Sequence, residues 1–205
     1  MDKVRIGIIG IGNMGSAHVR TITSGAVKGM EVGAICDTKT ARADLFPDIP
    51  FYEKPEDLIA SDGVDAVLVA TPHYDHTTLG IRALEAGKHL LVEKPISVHK
   101  ADCEKLIAAH TDKDLVFAAM FNQRTDPRYI KLKSLIDDGH LGEIHRVVWN
   151  ITSWFRTCSY YASGGWRATW KGEGGGVLLN QCPHQLDLWQ WLFGMPQRVR
   201  AFCDI

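Results

Sequence analysis

A polar stripe on an otherwise apolar helical segment is the first candidate for chemistry in this sequence. In GGGVLLNQCPHQLDLW, residues 174–189, Asn180, His184 and Asp187 are spaced so that their side chains share one helix face. An imidazole has an unperturbed pKa of about 6.5, which suits it to general acid–base catalysis near neutral pH. Pro183 predicts a kink in the helix directly before His184. The alternative is a histidine whose hydrogen bonds are satisfied within the core.

The lysine in HLLVEKPIS, residues 89–97, is the second candidate. Lys94 follows an apolar run that is typical of a strand buried in a parallel sheet. Ligands of open α/β sheets bind beside the carboxyl ends of the strands. An ammonium group held there by Pro95 could stabilise negative charge that develops on a substrate oxygen. The alternative is a solvated ion pair between Glu93 and Lys94.

A glycine-rich turn near the start of the chain predicts a dinucleotide site. Gly10 permits a tight turn after the first apolar run, Gly12 lets the backbone approach a pyrophosphate, and Gly15 allows close packing of helix and strand. Asp37 ends the second predicted strand, where its carboxylate could accept hydrogen bonds from a ribose diol and would repel a 2′-phosphate. NAD is therefore predicted over NADP. The expected contacts from this region are Gly10, Gly12, Asn13, Met14, Gly15 and Asp37.

The segment TPHYDH, residues 71–76, should line the same cleft because it follows another apolar run. His73 and His76 have the spacing of metal ligands, but no third ligand group is identifiable, so no metal site is predicted. Together with the lysine segment, this region adds six expected cofactor contacts: Thr71, Pro72, His73, His76, Glu93 and Lys94.

Substrate contacts are expected from two further segments and from the polar stripe. FNQRTDPR begins at residue 121, and its polar side chains could reach substrate hydroxyl groups or simply bond between two domains. A tryptophan-rich, glycine-rich loop offers Trp166 and Arg167, for which packing in the core or between subunits is the alternative. The predicted substrate contacts are Asn122, Arg124, Trp166, Arg167, Asn180 and His184.

These side chains must be positioned by an α/β fold. Apolar runs alternate with helical segments up to about Phe121, which predicts a doubly wound parallel sheet of the Rossmann type. We predict a nucleotide-binding domain over residues 1–122 and a partial α+β domain with an open sheet over residues 123–205. In the second domain, EIHRVVWNITSWF (143–155) and QRVRAFCDI (197–205) are predicted strands because polar and apolar residues alternate along them.

Composition argues against several classes of partner and location. The formal net charge is −1, and there is no basic stripe, which argues against nucleic acid or an anionic membrane as the main partner. Five scattered cysteines without a CxxC pair fit a reducing compartment. No signal peptide or apolar run of spanning length is recognised, so a cytoplasmic protein is expected.

Four segments resemble the Gfo/Idh/MocA oxidoreductases: GIIGIGNMG, VATPHYDH, AGKHLLVEKPIS and GEGGGVLLNQCPHQLDLWQWLFG. The resemblance implies a Rossmann domain that binds NAD(P), followed by an α/β domain that closes the site. It implies functional roles for Lys94 and His184. Many inositol dehydrogenases of the family carry aspartate where this sequence has Asn180, so a role that requires a charge there is in doubt. Members of the family are usually longer than this chain.

The activity implied by the resemblance is NAD-dependent oxidation of a secondary alcohol of a sugar or an inositol-like polyol. His184 would accept the hydroxyl proton at Nε2, Lys94 would stabilise alkoxide-like charge, and Asn180 would orient the substrate or the histidine. Asp187 is a candidate to hold the other ring nitrogen, or to face another helix. The alternatives are an NAD-dependent glycoside hydrolase, a non-catalytic regulatory protein that binds NAD or sugar, and an inactive fragment. A homo-oligomer through the second-domain sheet is expected if that sheet is complete.

Overall fold

A six-stranded parallel sheet is the centre of the structure. The structure is a computed structural model that describes residues 3–152, 155–162 and 165–202. The strands within these residues are Val4–Ile9 (β1), Met30–Cys36 (β2), Phe51–Tyr52 (β3), Ala66–Val69 (β4), His89–Val92 (β5) and Phe117–Ala119 (β6). They lie in the order β3-β2-β1-β4-β5-β6. The first strand is central and later strands are added outward on both sides, which confirms the predicted doubly wound fold.

Helices cover both faces of this sheet. The α-helices are Asn13–Thr23 (α1), Pro55–Ile59 (α2), Asp75–Glu85 (α3) and Lys100–Ala109 (α4), and a 3₁₀ helix spans Thr40–Leu45. Alternate residues of β4 face opposite layers. Val67 and Val69 pack in one apolar cluster with residues of α2, α3 and α4, whereas Ala66 and Leu68 pack with residues of α1. Burial on both faces explains why these strands are continuous apolar runs in the sequence.

The strand register brings the carboxyl ends of five strands to one edge. Ile9 is paired with both Cys36 and Val69, Val69 with Val92, and Val92 with Ala119. Four backbone hydrogen bonds continue the ladder just beyond these pairs, from Gly10 N to Cys36 O, Ala70 N to Ile9 O, Glu93 N to Val69 O and Met120 N to Val92 O. The glycine turn, the TPHYDH segment and the lysine segment therefore begin side by side.

The second part of the chain is helical in the residues described. A 3₁₀ helix, Asn122–Thr125, precedes the helices Pro127–Asp137 (α5), Cys158–Ala162 (α6), Trp170–Glu173 (α7), Val177–Asn180 (α8) and Pro183–Phe193 (α9). The two predicted strands are corrected: residues 143–152, 155 and 197–202 contain no strand, and residues 153, 154 and 203–205 lie outside the description. Alternation is a property of one segment, whereas a strand requires hydrogen bonds to a neighbouring strand, which the described residues do not supply here.

The predicted kinked helix is two separate helices. α8 ends at Asn180, and α9 begins at Pro183. Proline suits the first position of a helix because the backbone N–H that it lacks would have no partner within the helix. Asn180 and His184 thus belong to different helices, although they are four residues apart. Among the described residues, no helix has the length and apolar character needed to cross a membrane.

Candidate functional site

The glycine turn leaves room for a ligand at the N-terminus of α1. Gly10 requires glycine because its φ is +95°, a backbone conformation that other residues rarely adopt. Gly15 requires glycine because a Cβ atom there would lie 1.9 Å from Gly10 O. Gly12 differs, because a Cβ atom there would meet open space. Gly12 is also the N-cap of α1 and provides no side chain to cap the helix. The free N–H groups of the first turn and the space above Gly12 fit a pyrophosphate.

Asp37 is anchored beside this turn. Its Oδ2 accepts a hydrogen bond from Ile11 N at 2.8 Å, and its Oδ1 accepts one from Lys39 N at 2.9 Å. Each carboxylate oxygen can accept a further hydrogen bond. The two backbone donors therefore fix the carboxylate where a ribose diol would be recognised. Asn13 and Met14, also predicted to contact the cofactor, are exposed on the first turn of α1.

Lys94 connects the sheet edge to the second part of the chain. Its Nζ donates a 2.6 Å hydrogen bond to the backbone oxygen of Asn180 at the end of α8. Burial lowers the pKa of Lys94, and the negative charges of Glu93 and Glu173 partly oppose that shift. The lysine is thus held in the gap between β5 and α8 and is not part of a solvated surface pair.

Glu93 links the lysine segment to α1 through His18, which the sequence interpretation missed. Glu93 is buried, and its Oε1 lies 2.7 Å from His18 Nε2, while its Oε2 accepts a hydrogen bond from Lys94 N at 3.1 Å. Burial raises the pKa of Glu93, but the hydrogen bonds and positive charges of His18 and Lys94 together outweigh burial, so the net shift of this pKa is downward. The signal that could have identified His18 is its position one helical turn after Gly15, on the helix that opens at the turn.

The two histidines of TPHYDH are buried in contacts with backbone oxygens. His76 Nδ1 lies 2.8 Å from Pro95 O and its Nε2 lies 2.9 Å from Thr71 O, so the ring joins the loops that follow β4 and β5. His73 Nδ1 lies 2.9 Å from Glu173 O. Burial lowers the pKa of His73 to about 4. Both rings thus join neighbouring segments through backbone oxygens, and a contact of either ring with the cofactor stays a prediction.

The side chains of Thr71 and Pro72 differ in their surroundings. Thr71 Oγ1 is a buried atom without a hydrogen-bond partner in the described part of the chain, whereas Pro72 is exposed. Buried hydroxyl groups normally have a partner. Thr71 is therefore a polar group at the predicted cleft that a ligand could satisfy.

Glu173, a second residue that the sequence interpretation missed, lies beside Asn180. Both residues are buried, and Asn180 Nδ2 donates a hydrogen bond to Glu173 Oε1. The Glu173 carboxylate therefore lies directly beside the Asn180 amide. The amide of Asn180 is thereby oriented by a protein partner. Glu173 lies seven residues before Asn180, and three glycines separate the helices α7 and α8 to which the two residues belong, so their contact depends on how these helices pack.

His184 is partly buried against Phe121, with ring centroids 6.1 Å apart and the rings nearly perpendicular. Its Nδ1 is a buried atom that has no hydrogen-bond partner among the residues described. Burial lowers the pKa of His184, and the nearby Lys94 ammonium lowers it further. The charge of Lys94 thus acts on the His184 ring, and a joint catalytic role of these two residues stays a prediction.

Asp187 does not hold the histidine ring. Its two carboxylate oxygens accept hydrogen bonds from Arg124 Nε at 2.8 Å and Arg124 Nη2 at 2.6 Å. This bidentate pair joins the segment after β6 to α9, which corresponds to the alternative of a bond between two domains. The idea that Asp187 orients His184 through a hydrogen bond is corrected, because the Asp187 oxygens accept from Arg124 and His184 Nδ1 has no hydrogen-bond partner among the described residues.

The predicted loop contacts lie beside His73. The ring of Trp166 packs edge-on against that of His73, with centroids 5.2 Å apart. Arg167 lies next to Trp166 and places its guanidinium carbon 4.7 Å from the centroid of the Trp166 ring. Asn122, in contrast, is exposed at the start of its 3₁₀ helix. The loop therefore contacts the TPHYDH segment through Trp166 and His73, whereas Asn122 lies on the surface.

Comparison with family profiles gives two consecutive matches. Residues 4–121 match the profile described as "Oxidoreductase family, NAD-binding Rossmann fold", and residues 129–205 match the GFO/IDH/MocA C-terminal domain. The first match covers more than half of the chain. The predicted cofactor, NAD, and the resemblance derived from the sequence motifs are both confirmed.

Curated relatives include inositol dehydrogenases. The chain is 39% identical over 146 residues to inositol 2-dehydrogenase 1 of Saccharopolyspora erythraea, a match that covers 68% of this chain and 43% of that protein. It is 30% identical over 195 residues to the myo-inositol 2-dehydrogenase of Thermotoga maritima, a match that covers 93% of this chain and 55% of that protein. The chain therefore spans about half the length of these relatives.

A solved structure with the same fold is the WlbA dehydrogenase from Bordetella pertussis in complex with NADH and UDP-GlcNAcA. The TM-score is 0.86 at 27% sequence identity, and the match covers 95% of this chain and 58% of that chain. This likeness covers the Rossmann sheet and the helices that follow it.

Proposed function

Because this chain belongs to the GFO/IDH/MocA family of NAD-binding oxidoreductases, we propose that it oxidises a secondary alcohol of a sugar or an inositol-like polyol. The observation that carries this proposal is the convergence of two side chains. Lys94 reaches across from the end of β5 to Asn180 O, and its charge acts on His184 at the start of α9. Lys94 follows β5 at the sheet edge that also presents the glycine turn of α1, and His184 packs against Phe121, which follows β6.

The Rossmann edge provides the groups that would hold the cofactor. The open space at Gly12 and the uncapped α1 fit the pyrophosphate, and the anchored Asp37 fits the adenosine ribose of NAD better than a 2′-phosphate. When bound, NAD supplies an acceptor for the hydride of the alcohol carbon. Asp37 is thus the residue proposed to favour NAD over NADP.

The acid–base chemistry is assigned to His184 and Lys94. Nδ1 is the buried nitrogen of His184, so Nε2 is the atom left to accept the hydroxyl proton. A lowered pKa keeps the imidazole neutral and able to accept that proton near neutral pH. The Lys94 ammonium would stabilise the negative charge that develops on the alcohol oxygen. The buried Glu173 holds the Asn180 side chain in a fixed orientation beside them.

The proposal is tested with purified protein, a panel of sugars and polyols, and NAD or NADP, by following the absorbance of the reduced cofactor. We expect net production of NADH with at least one polyol. Lys94→Ala and His184→Ala should lower kcat about 100-fold or more, and His184→Ala, which removes no expected cofactor contact, should retain NADH binding as measured by fluorescence. Exposed Lys100 and His145 provide matched controls, Lys100→Ala and His145→Ala, that should retain activity.

Two results would contradict the proposal. One is a His184→Ala protein that binds NADH and turns over at the full rate. The other is glycoside cleavage without net production of NADH, which would assign the chain to the redox-cycling hydrolases.

A further inference from the structure

Arg167 lies in an aromatic setting beside the proposed active site. Its guanidinium carbon is 4.8 Å from the centroid of the Tyr160 ring and 4.7 Å from that of the Trp166 ring. Contacts of this kind with aromatic rings restrict the orientation of a guanidinium group. Arg167 Nε is buried and has no hydrogen-bond partner in the described part of the chain. The site therefore contains an oriented cation with an unused donor.

A continuous series of contacts connects Arg167 to Lys94. Trp166, next to Arg167, packs against His73, and His73 Nδ1 lies 2.9 Å from Glu173 O. The Glu173 side chain accepts a hydrogen bond from Asn180, whose backbone oxygen accepts the 2.6 Å hydrogen bond from Lys94 Nζ. Arg167 is thus on the same side of the cleft as the proposed alkoxide-stabilising lysine, and the two cations flank His73.

The carboxylates around this cleft are occupied by other partners. Glu173 accepts from Asn180, Glu93 accepts from His18 and the Lys94 backbone, and Asp187 accepts from Arg124. Within the described residues, no carboxylate lies within ion-pair distance of Arg167. A partly buried guanidinium without a protein counter-ion is costly unless a ligand supplies the negative charge. Among the described residues, none therefore supplies the negative charge that would balance Arg167.

We propose that Arg167 binds a negatively charged group of the substrate, a carboxylate or a phosphate, so that the substrate is an acidic or phosphorylated sugar or polyol. This inference rests on the proposed function, because it names the substrate class of the same site. A guanidinium fork binds either group through two parallel hydrogen bonds. A neutral polyol could accept single hydrogen bonds from Arg167, but it would leave the positive charge of the guanidinium group uncompensated.

The test uses substrates matched in skeleton and different in charge. Neutral sugars and inositols form one arm, the uronates of those sugars a second arm, and the monophosphates of the sugars and inositols a third, and kcat/KM is measured for each with NAD. We expect one anionic arm to exceed the neutral arm about 100-fold, since the charge-assisted pair is made with only one of them. The anionic arm with the higher kcat/KM shows whether Arg167 binds a carboxylate or a phosphate.

Variants of Arg167 test the residue itself. Arg167→Ala should reduce the ratio of anionic to neutral kcat/KM about 30-fold or more, and Arg167→Lys should give an intermediate ratio because the charge remains and the fork is lost. Arg146, which is exposed, provides the control Arg146→Ala, for which the ratio should not change. Equal kcat/KM for neutral and anionic substrates, or an equal loss for both in Arg167→Ala, would overturn the inference.

Binding measured without turnover separates this inference from the proposed function. The thermal shift produced by the same uronates and phosphates is recorded with no NAD present. An anion-induced rise in Tm that is lost in Arg167→Ala supports the anion site. If no substrate then yields NADH, only the dehydrogenase proposal fails. NADH production from neutral polyols alone, without a thermal shift by anions, overturns the anion site and leaves the dehydrogenase proposal standing.

Discussion

Lys94 Nζ donates a 2.6 Å hydrogen bond to the backbone oxygen of Asn180 and thereby connects β5 to the end of α8. The same ammonium group lowers the pKa of His184, in addition to the effect of burial on that ring. The charge of Lys94 therefore acts on His184, so a substitution that removes this charge should change the pKa of His184.

The first prediction concerns this coupling. Lys94→Met removes the positive charge and keeps most of the side-chain volume, so the pKa of His184 should rise. The measurement is the NMR titration of the His184 ring in the wild type and the variant. Lys100→Met, on the exposed side of α4, should leave that titration unchanged. An unchanged His184 titration in Lys94→Met would mean that the two groups do not interact.

The second prediction separates the two roles of glycine in the turn. Gly15→Ala places a Cβ atom 1.9 Å from the backbone oxygen of Gly10, and because backbone cannot easily move away, the free energy of unfolding should fall by about 3 kcal/mol or more. Gly12→Ala meets open space and should cost about 1 kcal/mol or less, but its methyl group should raise the Kd for NADH about tenfold or more. Urea unfolding and NADH fluorescence titration measure the two effects. Wild-type NADH affinity in Gly12→Ala would show that the pyrophosphate does not bind at this position.

The third prediction concerns the Arg124–Asp187 pair between the segment after β6 and α9. Arg124 is 39% exposed and Asp187 only 10% exposed at the side chain, so solvent screens the pair in part. A double-mutant cycle with Arg124→Ala and Asp187→Ala should give a coupling energy of about 1–2 kcal/mol in urea unfolding. Coupling near zero would show that the bidentate contact does not hold the two parts of the chain together.

The fourth prediction is a dependence of stability on pH that originates at His73. Its pKa is about 6.5 in the unfolded chain and about 4 in the folded protein, where burial disfavours the charged ring. Between these values the unfolded state binds more protons, so His73 lowers stability as the pH falls from 6.5 toward 4 and has no such effect above 6.5. From pH 7 to pH 4.5 the wild type should lose about 2 kcal/mol more stability than His73→Asn. Parallel curves of unfolding free energy against pH for the two proteins would contradict this prediction.

Sequence patterns predicted the Rossmann half of the chain well because its determinants are local. Continuous apolar runs predicted five of the six described strands, and glycines at fixed spacing predicted the turn before α1. The short strand Phe51–Tyr52 was missed, since two residues carry no period that can be recognised. The strands predicted over 143–155 and 197–205 failed for the opposite reason: the alternation was present in the sequence, but the described chain offers no partner strand.

The sequence by itself determined which groups could do chemistry: a glycine turn with Asp37 for a dinucleotide, Lys94 after a buried strand, and His184 after a proline. Only the tertiary structure decided which groups pair. Asp187 is bound by Arg124 and not by His184, and Asn180 offers its backbone oxygen to Lys94 while its amide faces the buried Glu173. The physical reason is that local spacing fixes the direction of a side chain within its own element, whereas its hydrogen-bond partner depends on how distant segments pack, and burial then makes each pairing costly to exchange.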